Sequence, residues 1–389
     1  MITVAQALEQ LFALATPLGS ETVSLLDAHG RVLAEDVAAT RAQPPFDGSA
    51  MDGYAVTQAA PGMTFRVIGE AAAGHAFKGC VADGEAVRIF TGAPVPTGAK
   101  RVVIQEDVIR DGDVITVSDK VEANTHIRPA GGDFAVGDIV SAGRVLGPND
   151  IALMASMNIA EVPVAKRPVV ALISTGDELV MPGESPNADQ IIASNTMGLH
   201  ALLRDLSAEP RLLPIARDNE PSLRTALEMA SGADLIVTIG GASVGDHDVV
   251  ANLAPKLGME QAFYKVAMRP GKPLMAGRFG GAMMIGLPGN PVSAMVCGHV
   301  FVAPVIRAML GLPAGPTPQK TAPLAEALTQ NGPREHYMRA RMTADGLVAF
   351  GAQDSSLLSI LNAADALIVR APHDAAQPKG ATVSYIPIR

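Results

Sequence analysis

Apolar residues near the start of the chain recur at helical spacing: Val4, Leu8, Leu11, Phe12 and Ala15 share one face of a helix expected over residues 3–15. The segment TVSLLDAHGRVLAEDVAA then alternates like a strand, turns at Asp27 to Gly30 and returns, which predicts a hairpin. Between residues 63 and 121 four stretches alternate with period two: TFRVIGEAA, EAVRIFTGAPVP, RVVIQEDVIR and DVITVSD. Short strands at this spacing, parted by Gly and Pro turns, predict a small β-barrel or sandwich. Asn149 and Asp150 are placed to cap a helix over IALMASMN, and EVPVAKRP reads as a strand running into a joint near Arg167.

From 167 to 311 the pattern changes. Buried-strand runs (RPVVALIS, ADLIVTI) alternate with helical stretches (NTMGLHALLRDL, EPSLRTALEMAS, VVANLAPKLG), which predicts a mostly parallel sheet with helices on both faces. After Pro313 short strand patterns return in APLAEALTQN, REHYMRARM, LVAFGAQ, ALIVRAP and ATVSYIPI, and Ser355 and Ser356 are placed to cap an intervening helix. The fold class is therefore multidomain α/β plus β. One apolar run, residues 291–310, has the length of a membrane span, but it contains His299, Pro304 and Arg307 and follows a strand, so a helix buried on the sheet is expected.

Composition narrows the partners. A formal net charge of -9 argues against general binding to nucleic acid or a membrane surface, both of which demand a basic face. The two cysteines, Cys80 and Cys297, are far apart and outside any CxxC spacing, so neither a disulfide framework nor a zinc cluster is indicated. With an N-terminal stretch that reads as an amphipathic helix rather than a signal peptide, a cytoplasmic setting is expected.

Ligands of parallel α/β sheets sit outside the carboxyl ends of the strands. The polar turns assigned to that rim are Thr175 to Glu178, Asp218, Gly240 to Asp248, Arg269 to Lys272 and Pro288 to Ser293. Asp177, Glu178, Asp218, Asp246 and Asp248 offer oxygen ligands suited to magnesium. Lys265, Arg269 and Lys272, with backbone N–H groups from the turns and from the helix opening at Pro291, suit phosphates. Together they predict a phosphorylated ligand bridged by a metal. No GxxxxGK[ST], nucleophile elbow or histidine cluster is present, and no GxGxxG follows the first α/β strand. A second chemical stretch, residues 43–56, carries Asp47, Ser49 and Asp52 in two tight turns; each aspartate could cap its own backbone, but a loop so irregular is costly unless its conformation is used, which favours a functional reading. Arg128, Gly131, Gly132 and Asp133 form a further turn able to approach a phosphate.

Six motifs in register, PPFDGSAMDGYA, TGAPVP, STGDEL, GGASVGDHD, RPGKP and LPGNPVS, make the chain resemble the molybdopterin molybdenumtransferase family, which includes the C-terminal domain of gephyrin. The resemblance implies insertion of molybdate into adenylylated molybdopterin with release of AMP, using Mg2+, in a homodimer whose active site lies at the subunit interface. Other molybdenum cofactor biosynthesis proteins are possible partners on this reading. It implies catalytic roles for Asp47, Thr91, Asp133, Glu178, Asp218 and Asp248, with Glu178, Asp218 and Asp248 on the metal. Lys265, Arg269, Lys272, Gly240, Gly241, Ser243, Pro288, Gly289, Asn290, Pro291 and Ser293 are the expected ligand-binding positions. Gly48 stands where the family commonly has Asn, and Arg269 where it commonly has Lys. The implied architecture is a central three-layer α/β/α domain (167–311), a loop-rich β domain (41–134), an elongated linking and dimerisation domain (1–40 with 135–166) and a C-terminal β-barrel-like domain (312–389). The alternatives are a molybdopterin adenylyltransferase, whose family typically carries a TGGTG turn where this chain has IGGAS, and a non-catalytic gephyrin-like scaffold.

Overall fold

The computed structural model describes residues 1–241 and 249–389. Its contacts divide the chain into two compact units, one formed by Met1–Glu21 with Val164–Arg389 and the other by Thr22–Pro163.

The first unit holds the α/β sheet. Its strands run in the order Glu209–Leu212, Val169–Ser174, Leu235–Ile239, Ala282–Leu287, Met275–Phe279 and Glu260–Tyr264. The first four are mutually parallel and the last two are antiparallel to their neighbours, so the sheet is mostly parallel with one mixed edge. All five residues of Leu235–Ile239 are buried, as a parallel strand covered on both faces requires. Ala171 and Ile173 pack with Leu223, Leu227, Ile236 and Met284 on one side. Successive strand residues face opposite ways, and helices Asn195–Asp205 and Pro291–Cys297 pack together on the sheet. The long apolar helix Pro291–Met309 passes the length and hydropathy test for a membrane span, but 78% of its window is buried within the protein.

The C-terminal sheet of this unit contains Lys320–Pro323, Glu335–Thr343, Gly346–Ala349, Ala366–Arg370 and Thr382–Pro387; the last four fall on the expected stretches, while the first overlaps the expected run at 322–331 only at Ala322 and Pro323. It gains one further strand. Met268–Arg269, from the basic turn of the α/β segment, pairs in parallel with Glu335 and His336.

In the second unit, residues 53–117 form one six-stranded sheet with a core on each face, Tyr54, Phe65 and Ile115 on one and Ala55, Val87 and Ile89 on the other. The hairpin expected at 22–39 does not form. Ser20–Ser24 and Val32–Leu33 share a sheet, but Glu161–Ala165 lies between them. A 3-10 turn at Leu25–Asp27 carries the chain out of register, and the Gly30 N–H donates to the distant Leu146 carbonyl rather than across a hairpin. The helix after it begins at Pro148, and Asp150 reaches back to accept from the Gly147 N–H, one turn inside the capping position expected for it. The N-terminal helix, Val4–Leu14, is as expected and buries Val4, Leu8 and Leu11.

Leu172 is fully buried in the central parallel strand. Leu172→Ala is expected to cost about 2–5 kcal/mol through lost burial and the cavity left behind, read as a shift of the α/β transition in denaturant unfolding.

Candidate functional site

A cavity of about 610 Å³ opens at the carboxyl ends of the parallel strands. Four turns build it. The first follows strand Val169–Ser174, where Gly176 has φ 149° and a Cβ there would stand 2.5 Å from Glu178 Oε2. The Glu178 side chain thus folds over a glycine, and both residues line the cavity. The second turn carries Asp218, cross-braced to the first: Asp218 N–H donates to Asp177 Oδ1 at 3.1 Å and Asp177 N–H to Asp218 Oδ2 at 3.4 Å. Arg217 Nη1 donates to the carbonyls of Gly176, Asp177 and Leu179 at 3.0–3.3 Å, clamping the acidic turn from behind.

The third turn starts at Gly240 and Gly241. Gly240 has φ 98°, and a Cβ would come within 2.6 Å of the Thr175 carbonyl oxygen, so only glycine fits. Thr175 Oγ1 is buried beside it with no partner among the described residues. The fourth turn, Pro288 to Pro291, is held from two sides. Asn195 Nδ2 donates to the Gly289 carbonyl at 2.7 Å, and Asn290 Nδ2 donates to Ser355 Oγ at 3.1 Å.

Several expected positions lie elsewhere. Ser243, Asp246 and Asp248 fall outside the described residues. Ser293 is buried in the helix, and the helix opening is a poorer anion cradle than its sequence suggests: Pro291 has no N–H, and the Val292 N–H donates to the Ser355 carbonyl at 3.0 Å. None of Lys265, Arg269 and Lys272 lines the cavity, though Pro273, next in the chain, does. Lys265 lies 4.8 Å from the centroid of the Tyr264 ring, and Arg269 is drawn into the C-terminal sheet opposite His336.

Asp47, Thr91 and Asp133 belong to the second unit, where their motifs interlock. Asp47 Oδ1 accepts from Ala130 N–H at 2.8 Å, Ser49 N–H donates to the Ala93 carbonyl, and Asp133 N–H donates to the Gln43 carbonyl. Asp52 Oδ1 accepts from both the N–H and the hydroxyl of Thr91, at 2.8 and 2.7 Å. The aspartates therefore cap backbone of other segments, not their own, and Thr91 is committed to Asp52.

Sequence reasoning undervalued Ser355 and Ser356. Neither caps the helix Leu358–Asn362, whose N-cap is Leu357. Ser356 lines the cavity, and its hydroxyl and N–H donate to Asp354 Oδ1 at 2.6 and 2.8 Å, which holds that carboxyl below its ordinary range. Behind it the fully buried Arg339 donates to the Asp354 carbonyl at 2.7 Å and to Gln353 Oε1 at 3.1 Å. Burial, then the surrounding Arg269, Arg339, Arg370 and Arg334, push the His336 pKa down to about 4. Arg217 and Asn195, which brace the rim, carried no motif signal.

The fold and the cavity define a class: a multidomain α/β plus β protein with a cavity at the carboxyl rim of its parallel sheet. The comparisons with known proteins make it specific. Residues 2–158 match "MoeA N-terminal region (domain I and II)", residues 171–308 match "Probable molybdopterin binding domain", and residues 321–388 match "MoeA C-terminal region (domain IV)". A Haemophilus influenzae protein named molybdopterin molybdenumtransferase is 39% identical over 80% of this chain and 78% of its own. Molybdopterin molybdenumtransferase 2 of Mycobacterium tuberculosis is 37% identical over 89% of this chain and 90% of its own. The crystal structure of the molybdopterin biosynthesis moeA protein from Pyrococcus horikoshii superposes with a TM-score of 0.85 at 28% identity, covering 99% of each chain. The chain belongs to the molybdopterin molybdenumtransferase family.

The Asp52–Thr91 contact has a pH signature. Hydrogen bonds from the Thr91 N–H and hydroxyl, and then the charge of Arg88, lower the Asp52 pKa from its ordinary 3.8. A depressed folded pKa gives stability that is present above pH 3.8 and lost as pH falls through the folded value. Asp52→Asn is expected to lower the melting temperature at pH 7, with the gap to wild type closing below pH 3.8, read by thermal melts across pH.

Proposed function

We propose that the protein transfers molybdenum to molybdopterin, taking adenylylated molybdopterin and molybdate and releasing AMP. The observation that carries this reading is the rim cavity, which gathers Glu178, Asp218 and the Gly240–Gly241 turn in a member of the molybdenumtransferase family. Two carboxylates and a glycine turn on one cavity suit a pyrophosphate with its metal.

Glu178 and Asp218 fit magnesium, which is commonly held by one or two carboxylates together with substrate phosphates and water. When bound it would neutralise charge on the phosphoanhydride. Among the described residues no group of three or more His, Cys, Asp or Glu could hold a metal unaided, so the ligand's own oxygens complete the shell on this reading. The chain's residues orient the acceptor: Arg217 and Asp218 fix the loop that presents Glu178, and Asn195 and Ser355 fix the Pro288–Pro291 wall. Water adds to one phosphorus and gives up a proton, the phosphoanhydride bond breaks and AMP leaves; the two dithiolene sulfurs bind the molybdenum of molybdate, whose displaced oxo groups leave as water with the oxidation state unchanged. Arg269 and Lys272, just ahead of Pro273 on the cavity wall, would bring cations to its margin and attract the oxyanions.

Asp133 and Asp248 keep the roles that the family resemblance implies, while Asp47 and Thr91, engaged with Ala130 and Asp52, hold the shape of their loops on this reading. A homodimer, a cytoplasmic setting and contact with other enzymes of molybdenum cofactor synthesis belong to the same reading.

Purified protein given adenylylated molybdopterin, molybdate and magnesium is expected to release AMP and form metal-loaded pterin. Adenylylation from ATP without metal insertion would instead make it an adenylyltransferase, and binding without turnover a scaffold. Glu178→Gln should retain pterin binding while AMP release falls by about 100-fold or more. Unchanged turnover would remove Glu178 from the reaction.

A further inference from the structure

A second cavity, of about 400 Å³, shares Ser194 and Asn195 with the rim cavity, so one wall separates the two. Its size falls within the roughly 300–1,000 Å³ typical of small-molecule sites. It lies over the contact of two helices. At Gly198 a Cβ would stand 2.8 Å from Met295 Sδ, and at Gly298 one would stand 2.7 Å from Leu199 Cδ2, so side chains of each helix lie directly over a glycine of the other. Met295, Leu358, Leu361 and Ile388 supply apolar walls.

The cavity's polar groups are chemically selective. Helix Pro291–Met309 is interrupted by one π-turn, Gly298–Val302, and His299 lies within it and lines the cavity. Single π-turns within α-helices are frequent at functional sites because the extra residue re-aims a side chain. No described residue hydrogen-bonds the His299 imidazole, and burial lowers its pKa to about 4, so at neutral pH it is an uncharged donor and acceptor. Asn362 adds a neutral amide. No carboxylate side chain lines this cavity, and the one cation, Arg389, already donates to the Asn362 carbonyl. Apolar walls with neutral edge groups suit a flat, uncharged ring with nitrogen donors and acceptors on its edge, and disfavour a phosphate or a carboxylate.

We propose that this second cavity receives the planar nitrogen heterocycle of a phosphate-bearing ligand whose charged part occupies the rim cavity. The inference deepens the function proposed above and rests on it, because that substrate carries two such rings, an adenine and a pterin. Both offer the same chemistry: a flat face for Met295 and Leu361 and a hydrogen-bonding edge for His299.

Calorimetric titration with AMP, with a pterin bearing an alkyl phosphate, and with ribose 5-phosphate as the ring-free control tests it and separates the two sources. One of the two ring-bearing probes is expected to bind at least about 10-fold more tightly than the control. Leu361→Trp, which fills the cavity, should erase that advantage and leave ribose 5-phosphate binding unchanged. His299→Leu should reduce it and His299→Gln restore most of it, all three variants melting within a few degrees of wild type. An advantage that survives Leu361→Trp, or no advantage for either ring, overturns the assignment. Should turnover of the adenylylated pterin persist in that case, the molybdenum-transfer reading stands while the cavity assignment falls. A Leu361→Trp-sensitive advantage in a protein without turnover would do the reverse.

Discussion

The close approach of Gly240 to the Thr175 carbonyl governs the site. Strands Val169–Ser174 and Leu235–Ile239 pair in parallel, so their ends arrive side by side, and the hydrogen-bond ladder continues past them: Thr175 N–H donates to the Ile239 carbonyl at 2.9 Å, and Gly240 N–H to the Leu287 carbonyl at 3.0 Å. The turns thereby inherit the positional precision of the sheet, with little freedom left in their backbone. That precision requires a residue without a side chain, because any Cβ on Gly240 meets Thr175. The acidic turn at Glu178 and the glycine turn are thus set against each other by the pairing of two buried strands.

The C-terminal sheet completes the other side. Ser355 reaches the Pro288–Pro291 turn twice, accepting from Asn290 through its hydroxyl and from Val292 through its carbonyl. Behind it a protein of net charge -9 buries guanidinium groups, a costly arrangement unless their N–H groups are met. Gln353 and the Asp354 carbonyl meet Nε and Nη1 of Arg339, whose Nη2 is buried with no partner among the described residues, and Asp374 with nearby carbonyls meets the N–H groups of Arg370. The result is a positively charged, hydrogen-bonded support for a polar wall. His336 stays neutral, first because it is buried and then because four arginines surround it.

Much of this was legible in the chain. Alternating buried strands and amphipathic helices over 167–311 announce a parallel sheet, its rim follows from the connection rule, and the turns at Glu178, Asp218, Gly240 and Pro288 meet there. Local pattern fails where the partner is remote. The alternation of residues 22–39 cannot reveal that Glu161–Ala165 inserts between the two strands. Ser355 looks like a helix cap because its true partner, Asn290, is 65 residues away. Asp47 and Asp52 look like self-capping turn residues because Ala130 and Thr91 are 83 and 39 residues distant. The basic turn hides a different partner: Arg269 pairs as a strand with His336 of the C-terminal sheet, 67 positions on, and does not line the cavity.

The acidic residues thus divide by what their oxygens do. Asp47 and Asp52 each commit an oxygen to amides of another segment, which ties PPFDGSAMDGYA, TGAPVP and the Gly131–Gly132 turn into one rigid cluster. Asp177 likewise serves its neighbour's backbone. Glu178 is placed differently: no described residue hydrogen-bonds its carboxylate, and its side chain lies over Gly176 at the edge of the cavity. A carboxylate already engaged by backbone donors is a weaker metal ligand and base than one with its lone pairs available. On this geometry the interlocked aspartates give shape and local negative charge, while Glu178 keeps its carboxylate oxygens at the cavity edge, unengaged by any described residue.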